Sequence, residues 1–358
     1  MAMKIGRDEF IALTAKEKTF TALDLAGENL SGLDLSGRIF EDVCLAGCDL
    51  TAADFRGASF RDADFRGAKM AGVILAGANL AGANLSAGQL VRGDLTGALL
   101  EQVDFSHADL TGARMDYSEA TGAVFTRACL KGASLRLAVL TASDCTGTDF
   151  TGADLTEADL EEAKVTGAVF NRTNCNKSFF RKVDLRGVSF AGSNLLMVHC
   201  EEADLRGVEL AGAVLTQAGF EGANLSGADL RGVDAWASCF EGALAVGTRF
   251  GEARLSDADF SLSRLEGADF TGADLLRTRF TRADCRRAVF HHADLRYADL
   301  SYALLADAVF RKARLDEANI HRAAVRDARW EDAEVGKTRR PDKELEEAED
   351  WRIPPAKS

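Results

Sequence analysis

Leucine or phenylalanine returns at every residue number divisible by five, with few substitutions, from Phe20 to the neighbourhood of Val335. The run holds 64 five-residue units, and 50 of them have Leu or Phe at the centre. A helix cannot carry such a pattern, because five is out of step with 3.6 residues per turn. A chain of 358 residues otherwise suggests two or three globular domains. An unbroken repeat argues instead for one quasi-one-dimensional domain.

The rest of the unit explains the period. Of 33 glycines, 27 stand two places after a centre, and 19 of 21 phenylalanines occupy a centre. The residue two before the centre is small, usually Ala, Val, Ser or Thr. A large and a small inward residue suit the wall of a narrow tube. Glycine after the centre suits a chain turn in every unit. The residue before the centre is Asp in 22 units and Asn in 7, so much of the net charge of −13 belongs to the repeat itself.

ANLSGADLRG, ADFTGADLLR and ADLTEADLEE follow the alternation A-(D/N)-L-x-x, and with it the chain resembles the pentapeptide-repeat family over residues 20–335. The resemblance implies an all-β solenoid, a right-handed quadrilateral β-helix with four units to a twenty-residue coil, about 16 coils from 64 units. Side chains twenty residues apart then stack in columns. Phe250, Phe270, Phe290, Phe310 and Trp330 fall in one, Phe220, Phe240, Phe260 and Phe280 in another.

Short helical caps are expected at both ends. Residues 1–17 lie outside the repeat and read as a cap helix with Asp8 at its N-cap and Phe10, Ile11 and Leu13 as an apolar patch. Residues 18–335 form the β-helix. Its first coil places Glu28 and Arg38 at the inward position, where they either pair or reach water. Residues 336–358 break the phase and suit a helix from Pro341 to about Trp351, covering the other end or forming a tail.

No catalytic constellation is present, and no cofactor or metal is expected. The histidines, His107, His199, His291, His292 and His321, all fall on outward positions, and neighbours such as His291 and His292 would point apart in a strand. Five cysteines (Cys48, Cys145, Cys175, Cys200, Cys285) replace core residues, while Cys44, Cys129 and Cys239 lie nearer the surface. The absence of CxxC, of a secretory leader and of a membrane-length apolar run points to a cytoplasmic protein with reduced thiols. An acidic chain is not expected to bind nucleic acid directly.

Two surface features rise above the repeat. Glu161, Glu162, Glu201, Glu202, Glu221 and Glu241 make an acidic face, interrupted by Arg181 and Lys182. Leu196, Trp236 and Leu276 recur every forty residues at an outward position, with Met197, Tyr297 and Phe179 beside that line. The first reading is a non-catalytic scaffold that binds another protein, or a second copy of itself, along a flat face. The alternative, implied by the resemblance, is a DNA-mimicking inhibitor or protector of DNA gyrase acting through the acidic face.

Overall fold

The computed structural model describes residues 2–336 and 338 and falls into two compact units, Met1–Gly219 and Phe220–Ser358. Each unit is built by one operation. A residue pairs in parallel with the residue twenty positions on, as in Asp49↔Lys69, Asp109↔Cys129 and Asp269↔Val289. Two hydrogen bonds flank each such pair. Leu50 N donates to Lys69 O at 2.7 Å, and Lys69 N to Cys48 O at 2.8 Å. Backbone groups that would be costly to bury unpaired are thus satisfied by the neighbouring coil.

Between faces the chain turns within one unit. The carbonyl of the central residue accepts the N–H three residues on, as Ala53 N to Leu50 O at 3.0 Å. The residue two after each centre takes positive φ. Glycine does so in 27 units, and 36 units place a side-chain-bearing residue there at φ between 51° and 63°. The turn is therefore imposed by the packing on either side of it, and glycine only makes it less strained.

Centres and small partners point inward and are nearly all buried. Like stacks on like. Rings are nearly parallel along Phe250, Phe270, Phe290, Phe310 and Trp330, with centroids 4.3–5.1 Å apart. Phe240, Phe260 and Phe280 meet that column edge-on at 5.5–5.9 Å, the T-shaped contact favoured by aromatic quadrupoles. Several polar residues at the small inner position turn their hydroxyls to the core's own carbonyls. Thr148 donates to Phe125 O at 2.6 Å, and Thr278 to Leu255 O at 3.0 Å.

Ahead of the repeat, β1 (Met3–Lys4) adds a parallel pairing onto β3 (Leu23–Asp24), and β2 (Thr19–Thr21) pairs with β4 (Ile39–Glu41). Between β1 and β2, α1 spans Arg7–Thr14 and buries Phe10 against Phe20, centroids 5.1 Å apart. The cap differs from expectation in two details. Gly6 is the N-cap, with Asp8 inside the first turn near the positive end of the helix dipole. Ile11 is exposed and Leu13 half-buried, so Phe10 is the one fully buried anchor of the helix. In the first coil, Glu28 and Arg38 follow the second of the two expected outcomes: neither is buried and they do not pair, Glu28 accepting the Arg7 backbone N–H at 3.1 Å and Arg38 donating to Glu17 O at 2.6 Å. The helix expected over 341–351 lies outside the described residues.

Candidate functional site

Most carboxylates are occupied by the fold. The Asp or Asn before a centre turns its Oδ1 to the N–H two residues on, as Asp49 does with Thr51 at 3.0 Å and Asn84 with Ser86 at 3.0 Å. This side-chain cap of the turn explains the residue choice. Where Arg occupies the capped position, its guanidinium folds back on the same carboxylate. Arg56 Nη2 lies 2.6 Å from Asp54 Oδ2, and Arg206 Nη2 2.6 Å from Asp204 Oδ2. The Arg56 and Arg206 side chains hold Asp54 and Asp204 below the ordinary carboxylate range.

The glutamates named in the acidic face belong to other positions. Glu161 and Glu162, and Glu201 and Glu202, lie at one corner of the first unit. Glu221 and Glu241 hold the same repeat position in the second. At that corner of the first unit, Arg181 and Lys182 stand between the glutamate pairs. Arg181 Nε is 3.8 Å from Glu201 Oε2, and His199 Nδ1 is 2.9 Å from Glu201 Oε1. The column alternates in sign and is not a continuous run of anions.

The apolar candidates divide between the units. Trp236, Leu276 and Tyr297 belong to the second. Trp236 is 42% exposed and its Nε1 donates to Asp257 Oδ2 at 3.1 Å, while Asp257 also holds Arg277 at 2.7 Å. Leu276 is half-buried and Tyr297 exposed. Phe179, Leu196 and Met197 belong to the first unit. Leu196 and Met197 are half-buried, and Phe179 is exposed and stacked on His199, centroids 4.7 Å apart and planes 8° from parallel.

In the first unit, both candidate sets border one face, the face whose inward centres are Leu140, Leu160, Phe180 and Cys200. Its outward row reads Val139, Asp159, Phe179, His199. Leu196 and Met197 lie at one edge and Glu161, Glu162, Glu201 and Glu202 at the other. A shallow concavity of about 510 Å³ runs along the first edge, lined by Leu137, Glu157, Lys177, Phe179, Met197, His199 and Gln217. Lys177 Nζ sits 3.5 Å from Glu157 Oε1 within it.

Five of those seven lining residues stand two after a centre, where the turn favours glycine. Between residues 137 and 217, nine such corner positions border this face, none is glycine, and all hold φ between 54° and 58°. Of the eight that border the opposite face, seven are glycine. A side chain in this conformation costs about 1–2 kcal/mol. Packing gives no reason to concentrate that cost on one face, because these side chains point to solvent. This asymmetry was readable in the sequence, and it is the signal that finds Leu137, Glu157, Lys177 and Gln217.

Nothing in the described residues gathers three or more His, Cys, Asp or Glu side chains in a way that could hold a metal ion. The His291 and His292 rings are 4.2 Å apart, contrary to the strand expectation, because both sit at a corner; His291 Nδ1 is 2.9 Å from Arg311 O. His321 is buried and meets Tyr302 edge-on, so not every histidine faces water. Burial raises the Cys48 thiol to about 11 and the Cys145 thiol to about 12, which leaves both unreactive. No helix among the described residues is long and apolar enough to cross a membrane.

A sequence profile for pentapeptide repeats matches residues 48–195, 198–234 and 240–329 through overlapping copies. No curated protein matches the chain. Among solved structures, HetL from the cyanobacterium Nostoc sp. strain PCC 7120, a pentapeptide-repeat protein involved in heterocyst differentiation regulation, is 26% identical. The match covers 61% of this chain and 96% of HetL, with a TM-score of 0.51. A trypsin-treated form of QnrB1, a plasmid-mediated fluoroquinolone resistance protein, is 22% identical over 53% of this chain and 90% of its own, with a TM-score of 0.34.

Proposed function

This chain belongs to the pentapeptide-repeat family, whose solved members imply a right-handed quadrilateral β-helix, and from that premise we propose that it is a non-catalytic interaction scaffold of about sixteen coils across its two units. It binds a macromolecular partner on a flat face, and the face bordered by Leu137, Phe179 and Met197 is the one that does so. The observation that carries this reading is the absence of glycine from that face's corners. The chain accepts backbone strain there to present side chains, and exposed apolar side chains on a rigid surface are a common mark of a partner site. Trp236, Leu276 and Tyr297 make a second, smaller candidate in the second unit. A cytoplasmic location fits a chain with eight free cysteines.

The test compares proteins recovered from the native cell with wild-type chain and with Leu137→Asp/Phe179→Asp. Both positions are exposed, so the variant keeps the wild-type melt and loses specific partners. Equal recovery by both proteins would remove the face from consideration.

A second reading, gyrase inhibition or protection by DNA mimicry, is favoured by one observation, the glutamate pairs at the other edge of the same face. The alternation with Arg181 and Lys182 weighs against it, because duplex DNA offers anions without intervening cations. In a supercoiling assay, inhibition by wild type and its loss in Glu161→Lys/Glu162→Lys/Glu201→Lys/Glu202→Lys would support this reading. No inhibition at high micromolar protein would end it.

A further inference from the structure

The charges on the glycine-free face repeat with opposite sign one coil apart at three positions. Glu157 precedes Lys177, Glu161 precedes Arg181, and Glu162 precedes Lys182, each at twenty residues. An apolar pair, Leu137 and Met197, lies at equal distance on either side of that change of sign. Such a surface is complementary to itself after a half-turn.

We propose that this face is the isologous interface of an antiparallel homodimer, with its two-fold axis in the plane of the face between the Glu157 and Lys177 coils. The proposal rests on the scaffold reading and names the partner as a second copy of this chain. The operation keeps each edge against the same edge and reverses the coil order. Glu157 then faces Lys177 of the second copy, Glu161 faces Arg181, and Glu162 faces Lys182. Each pair occurs twice, and each joins the ion pair or neighbour already present along its own column, so that charges alternate in a network. Leu137 faces Met197 of the second copy on both sides. The two Phe179 rings flank the axis, offset by about 5 Å along the coil stack given the spacing of stacked strands, and each lies opposite Asp159 of the second copy. A central aromatic pair ringed by polar contacts is the arrangement in which hot spots occur.

Other arrangements match fewer charges. A two-fold parallel to the coil stack would set Glu157 against Glu162 and Lys177 against Lys182, like against like. Moving the antiparallel axis one coil on keeps Arg181 opposite Glu201 and Lys182 opposite Glu202 but places Lys177 against Met197. The first register sets Phe179 against Asp159 of the second copy, but in it alone do three matched charge pairs and an apolar pair coincide.

Two triple variants test this with the full chain. Lys177→Glu/Arg181→Glu/Lys182→Glu makes the face wholly acidic at these positions, and Glu157→Lys/Glu161→Lys/Glu162→Lys makes it wholly basic. By sedimentation velocity, wild type is expected to be a concentration-dependent dimer, each variant alone a monomer, and an equimolar mixture a one-to-one dimer. All six positions are on the surface, and circular dichroism melts check that the fold is kept. Should a variant not fold, Phe179→Asp takes its place and is expected to weaken the wild-type dimer at least tenfold. A wild type that stays monomeric at 100 µM, or a mixture that does not associate, overturns the dimer. If a monomeric wild type still recovers a different protein and loses it on Phe179→Asp, the scaffold reading survives and the second copy does not. If neither association is seen, both fall.

Discussion

Asp54 serves two partners, the N–H of Arg56 at 3.0 Å and the guanidinium of the same residue at 2.6 Å. The same arrangement recurs at Asp64, Asp204 and Asp284, where a side-chain hydrogen bond from arginine is the leading cause of a lowered carboxyl pKa. Groups whose folded pKa lies below the unfolded value of about 3.9 stabilise the protein at every pH above that value. Their contribution is lost as pH falls through the lower, folded values. Melting temperature is therefore expected to be level from about pH 5 to 7 with respect to these groups and to fall below about pH 4. Asn at these four positions retains the oxygen that caps the turn and removes the titration, so the quadruple Asp→Asn variant should melt with a shallower acid limb. An acid limb identical to wild type would mean that other carboxylates govern it. Gly88 sets a different limit. Its φ is not left-handed, but an added Cβ would lie 2.9 Å from Leu85 O and 3.0 Å from Met70 Cε. Gly88→Val should cost roughly 1–3 kcal/mol through overpacking, measured by chemical denaturation; a cost near zero would show that the tube can widen there.

At the scale of the element, one coil is the unit of stability, and its weak points are the inward centres and the cap. Leu205 is 2% exposed, so Leu205→Arg buries a charge with no partner and should lower the melting midpoint sharply, by several kcal/mol beyond the roughly 1.5–3 lost with leucine. An unchanged melt would place that side chain outside the core. In α1, Phe10 is wholly buried, and Phe10→Ala should cost about 3–5 kcal/mol or free the helix locally. Hydrogen exchange would distinguish the two, since local release deprotects β1 and α1 alone. Much of this level was legible beforehand. Period, inward positions and ring columns follow from a large and a small residue alternating in fixed phase. The helix N-cap was not, because Asp8 has the capping chemistry but Gly6 has the extended backbone at which the helix begins.

For the molecule as a whole, what folds and what recognises were written in different positions. Centres and their small partners declare the fold, and a reading of them reaches the buried residues with few errors. The candidate face is written in exceptions to the repeat, such as Lys177 and Met197 in place of glycine. Those exceptions acquire meaning only when corners twenty residues apart are brought side by side. Phe179 and Met197 were visible as large residues at outward positions, whereas His199, Glu157 and Lys177 looked like ordinary solvated residues until the coils were stacked. Trp236 illustrates the opposite case. Its ring is exposed, yet its indole N–H is committed to Asp257. Trp236→Ala is expected to release Asp257 and to lower the melt by about 0.5–1.5 kcal/mol, the range of one hydrogen bond, without changing the sedimentation of the protein. Loss of association in that variant would move the interface to the second unit.

The offset of twenty residues also bears on how the chain is made. Hydrogen bonds between coils link residues 19 or 21 apart, as Leu50 to Lys69 and Lys69 to Cys48 do. No coil in either unit waits for a distant part of the sequence to find its neighbour. A ribosome adding about 5–20 residues per second delivers one coil in roughly 1–4 s, while loops of ten residues close in well under a microsecond. Each coil can therefore settle on its predecessor long before the next has emerged, and the nascent protein grows within each unit by accretion, with one unfinished edge at a time open to mispairing.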